Sequence, residues 1–111
     1  MNIVVNARHM EVTDAIRQYV EDKASRLPRY YDKIQKVEVV LDMEADEAVT
    51  EMVVTATHRN TFVARHRDPD MYASIDRCLD KIIEQLRRHK DRVRDRQGPP
   101  RDEAARRTRR R

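Results

Sequence analysis

The chain has 111 residues, 40% of them charged and 5% aromatic, with a formal net charge of +4; that length holds one domain with a modest core and no second. The longest apolar run is the short VEVVL at Val37 to Leu41, far below the ~18 residues of a membrane span, and the N-terminus lacks the basic-then-apolar layout of a secretory leader. A lone cysteine, Cys78, excludes an internal disulfide and suits a reducing compartment, so a cytoplasmic protein is expected.

Asn2 to Arg8 (NIVVNAR) is rich in β-branched residues and reads as a strand. VTDAIRQYVEDKASRL then turns to helical spacing, with Ile16, Tyr19, Val20, Lys23 and Leu27 on one side, Thr13 as N-cap and Pro28 as terminator. KVEVVLDME alternates, placing Val37, Val39, Leu41 and Met43 on one face and Glu38, Asp42 and Glu44 on the other. EADEAV reads as a charged turn or loose loop. TEMVVTATH and TFVARHR follow as two strands joined by a tight hairpin at Arg59-Asn60, with Asn60 in the positive-φ position. Asp68 suits the N-cap of the last helix, with Pro69 at its first position. The order is β-α-β-β-β-α. A four-stranded, mostly antiparallel sheet with both helices on one face, an α+β fold, buries these apolar sets most economically.

The last helix carries the informative pattern. At ~100° per residue, Tyr72, Ile75, Leu79, Ile82, Ile83, Leu86 and Val93 fall in one sector, while Arg77, Lys81, Arg88 and Arg92 fall nearly opposite. Arg87 and Lys90 flank the apolar sector, and Cys78 lies at its margin as a packing residue. At ~1.5 Å per residue the helix outruns the strands, so its cationic end projects past the sheet. Lys23, Arg26 and Arg29 crowd the end of the first helix, where the helix dipole also favours cations. Periodicity alone leaves the stripe open between a solvated face and a contact face. Net charge does not decide it: residues 94–111 hold eight Arg against three carboxylates, net +5, leaving 16 cations and 17 carboxylates, net −1, for residues 1–93. The expected division is a folded domain over 1–93 and a disordered, Arg-rich tail over 94–111.

VTDAIRQYVEDKASRL followed by YYDKI, and DMYASID with DK and QLRRHK, resemble the ribosome hibernation-promoting factor and ribosome-associated inhibitor family (sigma-54 modulation proteins) over Asn2 to Arg92. The resemblance implies a fold similar to double-stranded-RNA-binding domains. It also implies a factor that binds the small ribosomal subunit in the channel used by mRNA and tRNA, and that inhibits translation when growth slows, in some members helping ribosomes pair into inactive dimers. Basic residues along and between the helices would contact ribosomal RNA phosphates: Lys23, Arg26 and Arg29 from the first helix, and Lys81, Arg87, Arg88, His89, Lys90 and Arg92 from the second. Arg77 joins them from the stripe. Where the family often has a cation before QL, this chain has Glu84, which weakens phosphate binding there. Long members add a dimerisation domain; only the Arg-rich tail follows here, so a short form, monomeric off the ribosome, is expected. Tyr30 and Tyr31 stay open between core capping and stacking on a base.

Catalytic chemistry is not expected. One glycine leaves no Gly-rich phosphate loop, and His9, His58, His66 and His89 share no metal-ligand spacing. The sequence implies no enzyme, cofactor, metal or small-molecule substrate. Two other classes stay open beside the ribosome: a generic double-stranded-RNA binder, and a protein-interaction module whose basic helix docks on an acidic partner.

Overall fold

The computed structural model describes residues 1–97, with side chains through Val93; the expected tail falls, from residue 98 onward, outside the described residues. Four strands, β1 (Asn2–Arg8), β2 (Ile34–Glu44), β3 (Glu47–Ala56) and β4 (Thr61–Asp68), form one sheet in the order β1-β2-β3-β4. β1 runs parallel to β2, and the other neighbours are antiparallel. A parallel pair needs a crossover, which α1 (Asp14–Ala24) supplies. α2 (Met71–Gln97) follows β4 and packs across β3 and β4.

One apolar core unites both helices with one face of the sheet. Val20, Ala24 and Leu27 meet Ile75, Ile82 and Leu86 above Val37, Val39, Leu41, Met52 and Val54, all at most 1% exposed. The alternation read from β2 places Val37, Val39 and Leu41 inward as expected, whereas Met43, past the reach of the helices, is exposed. Tyr72, expected in the core, is 38% exposed and packs edge-on against Tyr19 at 4.8 Å. Cys78 is buried, and burial pushes its thiol up to about 12. Among the described residues, the one buried hydroxyl pair is satisfied. Ser74 donates to the His66 carbonyl at 3.1 Å, so Thr50 donates to Ser74 across 2.6 Å.

Three local expectations are corrected and one open alternative is resolved. Thr13 caps α1, accepting from the Ile16 amide at 3.1 Å, but the helix ends at Ala24, before Pro28. Pro28 instead sits in a 3₁₀ turn, Leu27–Arg29, whose first position tolerates its missing N–H. Of the two alternatives for the charged EADEAV segment the turn holds, since Ala45 and Asp46 (φ 50° and 66°) join paired Glu44 and Glu47 in two residues, with the rest of the segment inside the strands. Two positive φ values match the twist of the flanking strands.

At the β3–β4 connection the reverse holds. Thr57–Asn60 make a longer turn, and His58 and Arg59, not Asn60, take positive φ, both at 61°. Finally, α2 is capped by Asp70, which accepts from the Ala73 amide at 3.1 Å. Asp68 lies one turn earlier and accepts from the Asp70 amide at 2.9 Å.

Candidate nucleic-acid interface

The net −1 of residues 1–93 is unevenly distributed. Strand register sets Glu38, Asp42, Glu44, Glu47 and Glu51 on the sheet face that points away from the helices. Arg65 and Arg67 reach over from β4 to Glu44 at 3.3 and 2.7 Å, so that face is largely self-neutralised. Asp42, expected at the surface with Glu38, is 6% exposed, covered by His9, whose Nδ1 sits 2.9 Å from Asp42 Oδ1. Up to Val93 the helices carry seven carboxylates of their own, Asp14, Glu21, Asp22, Asp76, Asp80, Glu84 and Asp91, so the helical side is cationic only where the end of α2 meets the turn after α1.

The expected cations fall into three groups. The first is a cluster between the helices. Arg29, on the 3₁₀ turn, shares a shallow cleft with Arg87 and Lys90 of α2, and the Arg87 guanidinium lies 5.3 Å from the Tyr30 ring centroid. Tyr30 thereby supports a cation, while Tyr31 is largely buried in the core and turns its remaining edge to a cleft beside His89. Arg26, exposed on the preceding turn, lies beside this cluster in sequence. Among the described residues, Arg26, Arg29, Arg87, Lys90 and Arg92 make no ion pair, so their charge is available to an incoming anion.

The second group is the outer ridge, and it is partly spent inside the molecule. Arg77 pairs with Asp80 at 3.5 Å and Arg88 with Glu84 at 3.2 Å. Lys81 does not point straight outward. Its Nζ donates to the Arg65 carbonyl at 2.8 Å, and Gln85 donates to the Val63 carbonyl at 2.8 Å. β4 is an edge strand, and these two side chains occupy acceptors that would otherwise template another strand.

The third group is structural. Lys23 lies 4.0 Å from Asp76 and 5.3 Å over the Tyr19 ring, and Tyr19 donates to Asp76 at 2.7 Å, a polar clasp between the helices. That hydrogen bond, together with burial, pushes the Tyr19 phenol up to about 12. His89 is half-buried, edge-on to Tyr31 at 5.1 Å and to Phe62 at 5.3 Å, which is a packing position. Lys33 and His58 were not counted among the sequence-predicted contact residues, yet they line a cleft with His89 and Val93 at the sheet end where α2 overhangs. Only the place of Lys33 within YYDKI gave any signal for them.

Beyond Leu86 no described side chain of α2 is buried, so the cationic end projects as expected. Twenty-seven residues span ~40 Å, against ~27 Å for the eight of β4. Among the described residues no helix is long and apolar enough to cross a membrane, and no three His, Cys, Asp or Glu converge as a metal site.

The architecture defines a β-α-β-β-β-α, α+β domain whose helical side keeps five cations without ion pairs among the described residues. Residues 3–94 match the family described as Sigma 54 modulation protein / S30EA ribosomal protein, and the chain belongs to it. It is 37% identical over 97 residues to the ribosome hibernation promoting factor of Azotobacter vinelandii, covering 87% of this chain and 90% of that one. With the protein of the same name from Escherichia coli K12 it shares 36% over 95 residues, covering 84% and 97%. Among solved structures, the N-terminal domain of Thermus thermophilus Protein Y aligns with a TM-score of 0.73 at 38% identity, covering 80% of this chain and 99% of that domain. A ribosomal subunit interface protein from Coxiella burnetii, at 22% identity, shares the fold with a TM-score of 0.77.

Proposed function

We propose that this protein is a ribosome hibernation factor that binds ribosomal RNA of the small subunit and inhibits translation by occupying the channel through which mRNA and tRNA pass. The observation that carries this reading is the cluster of Arg29, Arg87 and Lys90, with Arg26 beside it, exposed and unpaired where the long helix overhangs the sheet. Such cations grip phosphates, release counterions and read no base sequence, which suits a fixed RNA surface recognised by shape. Family membership and the names of its relatives support the same target. Lys81, Arg88 and Arg77 have a secondary part, since each is already held within the fold. Lys23 acts by shaping the helix pair rather than by touching RNA phosphates, and His89 is no phosphate contact but packs against Tyr31 and Phe62.

Co-sedimentation with purified small subunits at low and moderate salt tests the proposal. Association at low salt that weakens as salt rises, together with dose-dependent arrest of a translation extract, is the expected result. No association at either salt would overturn it.

A further inference from the structure

Two adjoining clefts at the overhanging end of α2 are not used by the phosphate-gripping cluster. They share Asn60 and His89 as a common wall. The larger, about 550 Å³, lies between Tyr31, Thr57 and Val93, with Lys33 and His58 at its rim. The smaller brings Arg88 and Arg92 beside Phe62. Clefts elsewhere along α2 include carboxylates, Asp91 in one and Asp80 and Glu84 in another, whereas these two are lined by cations, aromatics and neutral polar groups.

The chemistry of the wall is specific. The Asn60 amide nitrogen donates to the Thr57 carbonyl at 3.0 Å, which fixes the side chain and leaves its amide oxygen as a positioned acceptor. The Thr57 hydroxyl adds a donor-acceptor group, and the Tyr31 and His89 rings, packed edge to face at 5.1 Å, give the wall an aromatic corner. His58 and Arg59 hold consecutive left-handed conformations that cost non-glycine residues about 1 kcal/mol or more each. The adjacent Asn60, a better type for that geometry, stays extended at φ −71°. The turn thus accepts strain and carries the His58 ring at the rim of the cleft. The volume lies within the ~300–1,000 Å³ of small-ligand sites.

We propose that this double cleft is a nucleotide subsite. It takes one unstacked base of single-stranded RNA between the Tyr31–His89 wall and the Asn60 turn, with the neighbouring phosphates on Lys33 and Arg92. The inference rests on the nucleic-acid reading above but does not need the ribosome as the source of the nucleotide. It adds base contact to an interface otherwise built from phosphate contacts.

The test is amide chemical-shift mapping on the full chain, titrated separately with adenosine 5′-monophosphate and with ribose 5-phosphate, which lacks the base. Saturable shifts at Thr57–Asn60 and Val93 with the nucleotide, about tenfold weaker with ribose 5-phosphate, are expected. Equal response to both probes, or shifts confined to Arg87 and Lys90, would overturn the subsite and leave only phosphate binding. Lys33→Glu should weaken the nucleotide response while leaving the dispersed amide spectrum intact; an unchanged response refutes the role of Lys33. A response to the nucleotide alongside failed co-sedimentation with small subunits would sink the ribosome proposal and keep this one. The converse pair of results would do the opposite.

Discussion

At the scale of single residues, the caps and clasps of this fold are short-range and separately testable. Thr13→Ala removes the acceptor for the Ile16 amide and should cost about 1 kcal/mol in urea unfolding. Tyr19→Phe removes the donor to Asp76; a loss of about 1 kcal/mol is expected, together with disappearance of the phenol titration step near 12 in ultraviolet difference spectra. Because the folded phenol titrates above its ordinary 10.0, its contribution is complete below pH 10 and is lost as pH rises toward 12. Asp42 works at the other limb. The His9 ring, and then the Met43 amide, hold its carboxyl below the usual value, so its contribution is present above that value and lost as pH falls through the folded-state pKa. His9→Ala should therefore shift the acid-unfolding midpoint of circular dichroism to higher pH; an unmoved midpoint would remove Asp42 from the account. Strand alternation placed Asp42 on the correct face but was blind to His9, which reaches it across 33 positions of sequence. Periodicity reports the direction of a side chain, not what later covers it.

At the scale of elements, every strand and helix was legible, because each is a run of apolar residues at a period of two or of 3.6. The turns were not. Ala45-Asp46 and His58-Arg59 adopt positive φ without glycine, held there by the pairing of the strands on either side, and the mild left-handed preference of Asp46 and His58 is too weak to locate the turns alone. The stripe on α2 was legible as a row of cations, yet its partners were not. Lys81 and Gln85 turn toward β4 because that edge offers carbonyls with no neighbouring strand. Gln85→Ala should cost about 1 kcal/mol and increase self-association in light scattering, since it reopens that edge. Glu84 holds Arg88 at 3.2 Å. Glu84→Lys should release Arg88 and tighten RNA binding about fivefold at low salt, fading as salt screens the charges. A variant that binds no better would mean that Arg88 does not face RNA.

At the scale of the whole molecule, function follows from where charge is put rather than from how much there is. A domain of net −1 still presents a local cationic patch because Arg26, Arg29, Arg87, Lys90 and Arg92 gather near the end of α2 without ion-pair partners among the described residues, while the β4 arginines are taken up by Glu44 and Glu47 on the sheet face. The sequence revealed which residues were basic, but only packing separates Arg26, Arg29, Arg87, Lys90 and Arg92 from cations held within the fold. Five phosphate contacts give a slope of log affinity against log salt of about −4, with each lost contact reducing its magnitude by about 0.8. The most direct measurement is that slope for small-subunit binding, in the natural chain and in an Arg29→Ala, Arg87→Ala, Lys90→Ala variant. A slope near −4 that falls to about −2 in the variant is predicted. A natural chain whose binding ignores salt, or a variant that keeps the full slope, would contradict the claim that these three residues hold the RNA.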